Sequence, residues 1–166
     1  NRITVDSDTS TNDSCMLAAT GVSGADCDVG AARESFQKAL FSLMQELAHG
    51  IIRDGEGATK FVTVQVSGGL SSQDCLSIAY AIANSPLVKT ALFASDANWG
   101  RIVMAIGKAD ATIDYSKVDV YLGDVCLMSG GGKAPGYTEA SGASVMAKEE
   151  ITITAPAPKD SVWDAC

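Results

Sequence analysis

The spacing of apolar positions changes along the chain, and that spacing predicts most of its elements. Arg2-Ile3-Thr4-Val5-Asp6 alternates apolar with polar, the signature of a short strand. It runs into residues 6–13, Asp-Ser-Asp-Thr-Ser-Thr-Asn-Asp, whose side chains readily bond their own backbone. Residues 15–19 are apolar but too few for periodicity to separate strand from helix; the early glycines Gly21 and Gly24 favour a strand. From residue 30 to 53 the pattern turns helical. Phe36, Leu40, Leu43, Met44, Leu47 and Ile51 recur at intervals of three and four on one face, with Glu34, Gln37, Lys38, Gln45 and Glu46 elsewhere. Asp54-Gly55 stops this helix.

Residues 61–66, Phe-Val-Thr-Val-Gln-Val, are alternating and β-branched, which predicts a strand. Gly68-Gly69 turns the chain, and Ser71 or Ser72 caps a helix running to about residue 83, with Asp74 in its first turn. Residues 90–94 read as a strand and 98–108 as a helix. Residues 117–122 and 124–128 form a hairpin around Gly123-Asp124. Residues 138–148 are a weaker helix interrupted by Gly142, and 151–154 a closing strand, after which Pro156 and Pro158 break pairing. Strands and helices alternate throughout, so the expected class is α/β (α+β) with layered sheets and helices.

Composition narrows the function classes. Hydrophobic residues at 46% and charged residues at 19% of 166 suit a folded chain able to bury a core. Twelve basic against 20 acidic residues give a net charge of −8, with no Lys/Arg cluster to neutralise phosphates; nucleic acid is not an expected partner, and the acidic balance usually serves solubility, although it would also favour a cationic small molecule. Five widely spaced cysteines (Cys15, Cys27, Cys75, Cys126, Cys166) and a lone histidine, His49, leave a metal site few ligands, so no metal is expected. Reduced thiols point to the cytoplasm, or a mitochondrial matrix in a eukaryote. No apolar run approaches the roughly 18 residues of a membrane span, so a soluble chain without a membrane partner is expected. The chain starts at Asn1 inside a strand-like run and stops at Cys166 just after Trp163, as a piece of a larger protein would.

Four segments have chemistry to offer. Arg53-Asp54-Gly55-Glu56-Gly57-Ala58-Thr59-Lys60 joins a long helix to a strand with two carboxylates, two cations and no apolar stripe. Glycines on both sides of Glu56 permit a sharp turn and close approach of a ligand, and its carboxylate suits an ammonium group; the alternative is a surface loop whose charges pair locally. Residues 6–13 are either a hydroxyl-rich loop beside a site or a self-satisfying turn. With one imidazole in the chain, placed by pattern at a helix C-terminus where it suits the dipole, a Ser-His-Asp relay is not expected. In Asp96-Ala97-Asn98-Trp99-Gly100-Arg101, Asp96 or Asn98 can cap the next helix, Trp99 can wedge it against a sheet, and Arg101 can anchor a carboxylate. Gly130-Gly131-Gly132-Lys133 lacks the spacing of a phosphate-binding loop and reads as a hairpin or loop.

Three blocks together resemble the ornithine acetyltransferase (glutamate N-acetyltransferase) family of arginine biosynthesis: Ile3–Asp6 with Asp8-Thr9-Ser10-Thr11-Asn12-Asp13; Arg53 through Phe61; and Ala83-Asn84-Ser85-Pro86-Leu87-Val88-Lys89-Thr90-Ala91 with Asp96 and Asn98-Trp99-Gly100-Arg101. The late run Glu150-Ile151-Thr152-Ile153 fits too, and the likeness spans roughly residues 1–155. Ala97 stands where the family commonly has Pro, a departure that bears on helix entry.

The resemblance implies a layered sheet-and-helix sandwich of the N-terminal-nucleophile acetyltransferase/aminopeptidase type. Residues 1–57 would contribute part of the catalytic sandwich, and 58–166 a smaller α/β lobe with a return segment. It implies a self-cleaving precursor whose second chain begins with a nucleophilic Thr, activated by its own α-amine. That Thr would take acetyl from N-acetylornithine and pass it to glutamate; acetyl-CoA is a co-substrate in some members, and no cofactor is implied. The nucleophilic Thr and the oxyanion hole are expected upstream of Asn1, and further substrate contacts after Cys166, so no catalytic residue is assigned within this chain. Glu56 is the one position whose family counterpart contacts substrate. Implied partners are the small-molecule substrates, the N-terminal chain of the same precursor and further copies in a homo-oligomer. A related aminopeptidase is a second reading, against which the block from Arg53 to Lys60 argues; a non-catalytic interaction domain is a third.

Overall fold

Alternation in residues 61–67 has the expected consequence. In the computed structural model, which describes residues 2–156, Phe61–Ser67 is strand β1, with Val62, Val64 and Val66 packed toward the core and Thr63, Gln65 and Ser67 exposed. β1 pairs in parallel with the last strand, β5 (Glu150–Pro156), in register Val62↔Ile151 to Ser67↔Pro156. β5 places Ile151, Ile153 and Ala155 in the core. Between them in sequence lie β2 (Val120–Leu122), β3 (Val125–Ser129) and β4 (Gly132–Lys133), giving a five-stranded mixed sheet of order β1-β5-β2-β3-β4. Pro156 does not end pairing early: it is the last residue of β5, opposite Ser67. Pro158 lies outside the described residues.

Helix α1 occupies Gly30–Arg53. α2 (Ser72–Ala83) is capped by Ser71, whose Oγ accepts from the Asp74 N–H at 3.1 Å, and it packs on β1. α4 (Trp99–Gly107) packs on α2, and α5 (Glu139–Met146) lies against β3. Ile82, Ile106, Leu122, Leu127, Met128, Met146 and Ile153 are almost fully buried where these layers meet. Each such side chain contributes about 1.5–3 kcal/mol through removal from water. The class is therefore α/β, with sheet and helices in layers. The backbone divides into two compact units, Asn1–Glu56 and Gly57–Cys166.

Three expected strands are absent. Residues 2–6 form none: Ser7 takes a φ of 80°, and the Asp8 N–H donates to Asp6 Oδ1 at 2.9 Å, which turns the chain out of extended geometry. Residues 15–19 also form no strand, and Met16 and Leu17 are exposed; a short apolar run becomes a strand only beside a partner. Residues 90–94 belong to a helix, α3 (Pro86–Phe93). Its start signal is Ser85-Pro86: Ser85 Oγ accepts from the Val88 N–H, and Pro at the first helical position lacks only a donor that would be unused there. Thr90, β-branched as in a strand, instead bonds the Leu87 carbonyl through its hydroxyl at 3.0 Å.

Two further differences are local. Lys117, the expected start of β2, instead ends a 3-10 turn (Tyr115–Lys117), since Asp114 Oδ1 accepts from both the backbone N–H and the hydroxyl of Ser116. Gly142 does not interrupt α5. A Cβ there would stand 2.7 Å from Ala97 Cβ and 2.7 Å from Tyr137 Oη, so glycine is what lets this helix approach its neighbours, while a Thr138–Ser141 capping box supports its start.

Candidate functional site

The turn that ends α1 presents Glu56. The Asp54 N–H bonds the Gly50 carbonyl at 3.1 Å and the Gly55 N–H bonds that of Ile52 at 3.3 Å, closing the last helical turn. Gly57 follows with φ +71°, a conformation that strains any residue with a Cβ. Nothing lies within 4 Å of where that Cβ would be, so the space beside Gly57 is open. Glu56 is exposed, and among the described residues its carboxylate makes no hydrogen bond or ion pair. Local charge pairing, the plain alternative for this loop, therefore does not occupy Glu56. An accessible carboxylate on a turn can accept hydrogen bonds from an ammonium group.

The rest of the block goes elsewhere. Lys60 is half-buried, and its Nζ donates to Ser95 Oγ at 2.9 Å. Sequence reasoning did not foresee this contact, because residues 90–94 read as a strand and Ser95 had no evident role. Ala58 and Thr59 are exposed. His49 lies half-buried near the end of α1.

Residues 6–13 fold on themselves. Ser10 Oγ accepts from the N–H groups of Asn12 and Asp13 at 3.4 and 3.2 Å, the self-satisfying turn of the two readings. In the third segment Asn98 is the cap: its Oδ1 accepts from the Arg101 N–H at 3.1 Å while its Nδ2 donates to Asp96 Oδ2 at 3.0 Å. Trp99 is half-buried against the core. Among the described residues Arg101 holds no carboxylate; its Nη1 donates to the Leu87 carbonyl and to Thr90 Oγ1, joining α4 to α3. A recess bounded by Val88, Ala91, Ala97, Asn98, Ile102 and Met146 is mostly apolar and water-sized, too small for a metabolite. The Gly130–Lys133 segment turns β3 into β4, and Lys133 Nζ sits 5.3 Å from the Tyr137 ring centre, so it is a hairpin as expected.

The Ser116 hydroxyl holds the Asp114 carboxyl below its ordinary range. Cys126 beside Tyr121 raises that phenol, and burial, with Glu139 next, raises Tyr137. Cys15, Cys27, Cys75 and Cys126 carry free thiols. Among the described residues no three His, Cys, Asp or Glu side chains gather as a metal site would require. No single described helix is long and apolar enough to cross a membrane; α2 and α3 reach the required apolar length only as a pair bent by 55°.

Comparison with known proteins gives one consistent result. The model of the ArgJ family matches residues 1–160. An arginine biosynthesis bifunctional protein ArgJ from Pseudomonas fluorescens is 56% identical over 157 residues, which cover 92% of this chain and 39% of that protein. The protein of the same name from Psychrobacter arcticus is 54% identical over 158 residues, with the same coverage. Among solved structures, the crystal structure of arginine biosynthesis bifunctional protein argJ from Bacillus halodurans superposes with a TM-score of 0.86 at 34% identity, over 94% of this chain and 74% of that one. The chain thus spans about two fifths of the length of the curated relatives it matches.

Proposed function

The chain belongs to the ArgJ family, and we propose that it is a segment of a glutamate N-acetyltransferase that moves acetyl from N-acetylornithine to glutamate through an acyl-threonine. The nucleophilic Thr is supplied by protein outside residues 1–166. Its hydroxyl attacks the acetyl carbonyl, ornithine leaves as the amine, and the amine of glutamate then attacks the acyl-enzyme and frees the Thr hydroxyl. Acetyl-CoA enters this scheme only as a second acetyl donor, and no resident cofactor is required.

One observation carries the reading of this chain's own part: the carboxylate of Glu56 stands exposed, and unpaired among the described residues, on a glycine-flanked turn, and the relatives are named for arginine biosynthesis. Glu56 receives the side-chain ammonium of the ornithine moiety and so orients the acetyl group toward the nucleophile. In the complete enzyme, Glu56→Ala is expected to raise KM for N-acetylornithine about 10- to 100-fold, the loss of a charge-assisted hydrogen bond. Steady-state kinetics check this, and an unchanged KM would remove Glu56 from the site.

The proposed macromolecular partner is the N-terminal chain of the same precursor. Support comes from α1, where no residue is buried and Phe36, Leu43, Met44, Leu47 and Ile51 remain exposed along one face. A continuous stripe of that kind marks a surface made to be covered. Assembly into a homo-oligomer and a cytoplasmic location, or a mitochondrial matrix in a eukaryote, complete the proposal.

A further inference from the structure

Ser95 occupies a position where a side chain is a disadvantage. It follows the C-terminus of α3 with φ 55°; its N–H bonds the Leu92 carbonyl at 3.1 Å and the Asp96 N–H bonds that of Ala91 at 2.9 Å. These two bonds define the left-handed helix ending at which glycine is the usual residue, because a Cβ is strained there. Among the described residues the Ser95 side chain has one hydrogen-bond partner: its hydroxyl accepts from Lys60 Nζ at 2.9 Å. An exposed ammonium–hydroxyl contact adds little stability, so stability explains neither the serine nor the contact well.

Chain connectivity suggests another role. Lys60 lies four residues after Glu56, and the Phe61 N–H, which bonds the Glu149 carbonyl at 2.8 Å, is fixed by the sheet. With Lys60 also held, the stretch between Glu56 and the first anchored residue shortens to Gly57-Ala58-Thr59, all exposed. A shorter free stretch loses less conformational entropy when a ligand orders Glu56. We infer that the Lys60–Ser95 contact is a positioning device for Glu56, with Lys60 and Ser95 acting on substrate affinity through the intervening loop. The inference rests on the substrate-binding reading of Glu56 given above.

The test uses the complete enzyme and measures kcat, KM for N-acetylornithine and Tm for Lys60→Met, Ser95→Gly, their double variant and Lys60→Arg. Both single variants should raise KM about three- to ten-fold with kcat within about two-fold, and the double should be no worse than either alone. Ser95→Gly should not lower Tm, since it relieves the left-handed strain, and Lys60→Arg, which can still donate to Ser95, should fall nearer the parent enzyme. The inference is overturned if the single variants keep the parent KM, or if KM rises only together with a loss of Tm and kcat. Glu56→Ala, measured alongside, separates the two readings. A raised KM there with parent values for Lys60→Met and Ser95→Gly sinks this inference alone, whereas a parent KM for Glu56→Ala sinks both.

Discussion

Helix α1 and the lobe from β1 to β5 are written in the same alphabet of apolar and polar positions, yet only one of them has a core. In the lobe, Ile82, Leu127, Ile153 and their neighbours are nearly inaccessible. In α1 the equally regular stripe leaves Leu47 and Ile51 each 61% exposed. Periodicity specifies which face of an element wants burial; it does not supply the surface that covers it. The lobe carries its covering layers within this chain, because β5 returns to pair with β1 across the whole stretch from residue 68 to 149. The apolar face of α1 stays exposed within the described residues, and its cover is the partner chain proposed above.

The largest contrast should appear in unfolding experiments on this chain. Ile153→Ala removes a fully buried side chain and should cost about 2–5 kcal/mol in urea denaturation of the lobe, whereas Leu47→Ala should cost under about 1 kcal/mol. Adding the rest of the enzyme should bring the Leu47→Ala cost up toward the core value; equal costs without it would erase the distinction. Gly142→Ala comes next, at about 1–3 kcal/mol, because its Cβ meets Ala97 and Tyr137 at 2.7 Å. Thermal melts will show whether α5 can shift to accept it.

How far the sequence revealed these regions depended on how local each signal was. α1 was legible to its ends, as were β1, the Ser71 cap and the hairpin at Gly123-Asp124, since their patterns depend on neighbours a few residues away. α3 was missed because β-branched Thr90 in an apolar run outweighed the Ser85-Pro86 start signal. The role of Gly142 could not be read locally, as the atoms that demand it belong to Ala97 and Tyr137. The exposed turn that carries Glu56 was legible from its glycine flanks, while the substrate contact at Glu56 is a proposal that rests on the family resemblance. Lys60 was not, because its partner is 35 residues away on a helix ending that first had to be recognised as one.

Smaller effects sharpen the same contrast within the lobe. Asn98→Ala removes the cap of α4 and should cost about 1 kcal/mol by chemical denaturation, with no comparable sensitivity at exposed α1 positions. Smallest is the pH effect at Asp114. Its folded carboxyl lies below the ordinary value, so its contribution is present above the unfolded pKa and is lost as pH falls through the folded one. Asp114→Asn should slightly flatten the acid limb of stability below about pH 4 and change nothing at neutral pH.

Acetyl transfer from N-acetylornithine to glutamate, measured for this chain alone and then combined with the segments its relatives carry beyond it, tests the account most directly. Transfer is expected only in the combination. Transfer by residues 1–166 alone would place the nucleophile within this chain, and no transfer from a folded, assembled combination would separate its family membership from the proposed chemistry; either result would contradict the account.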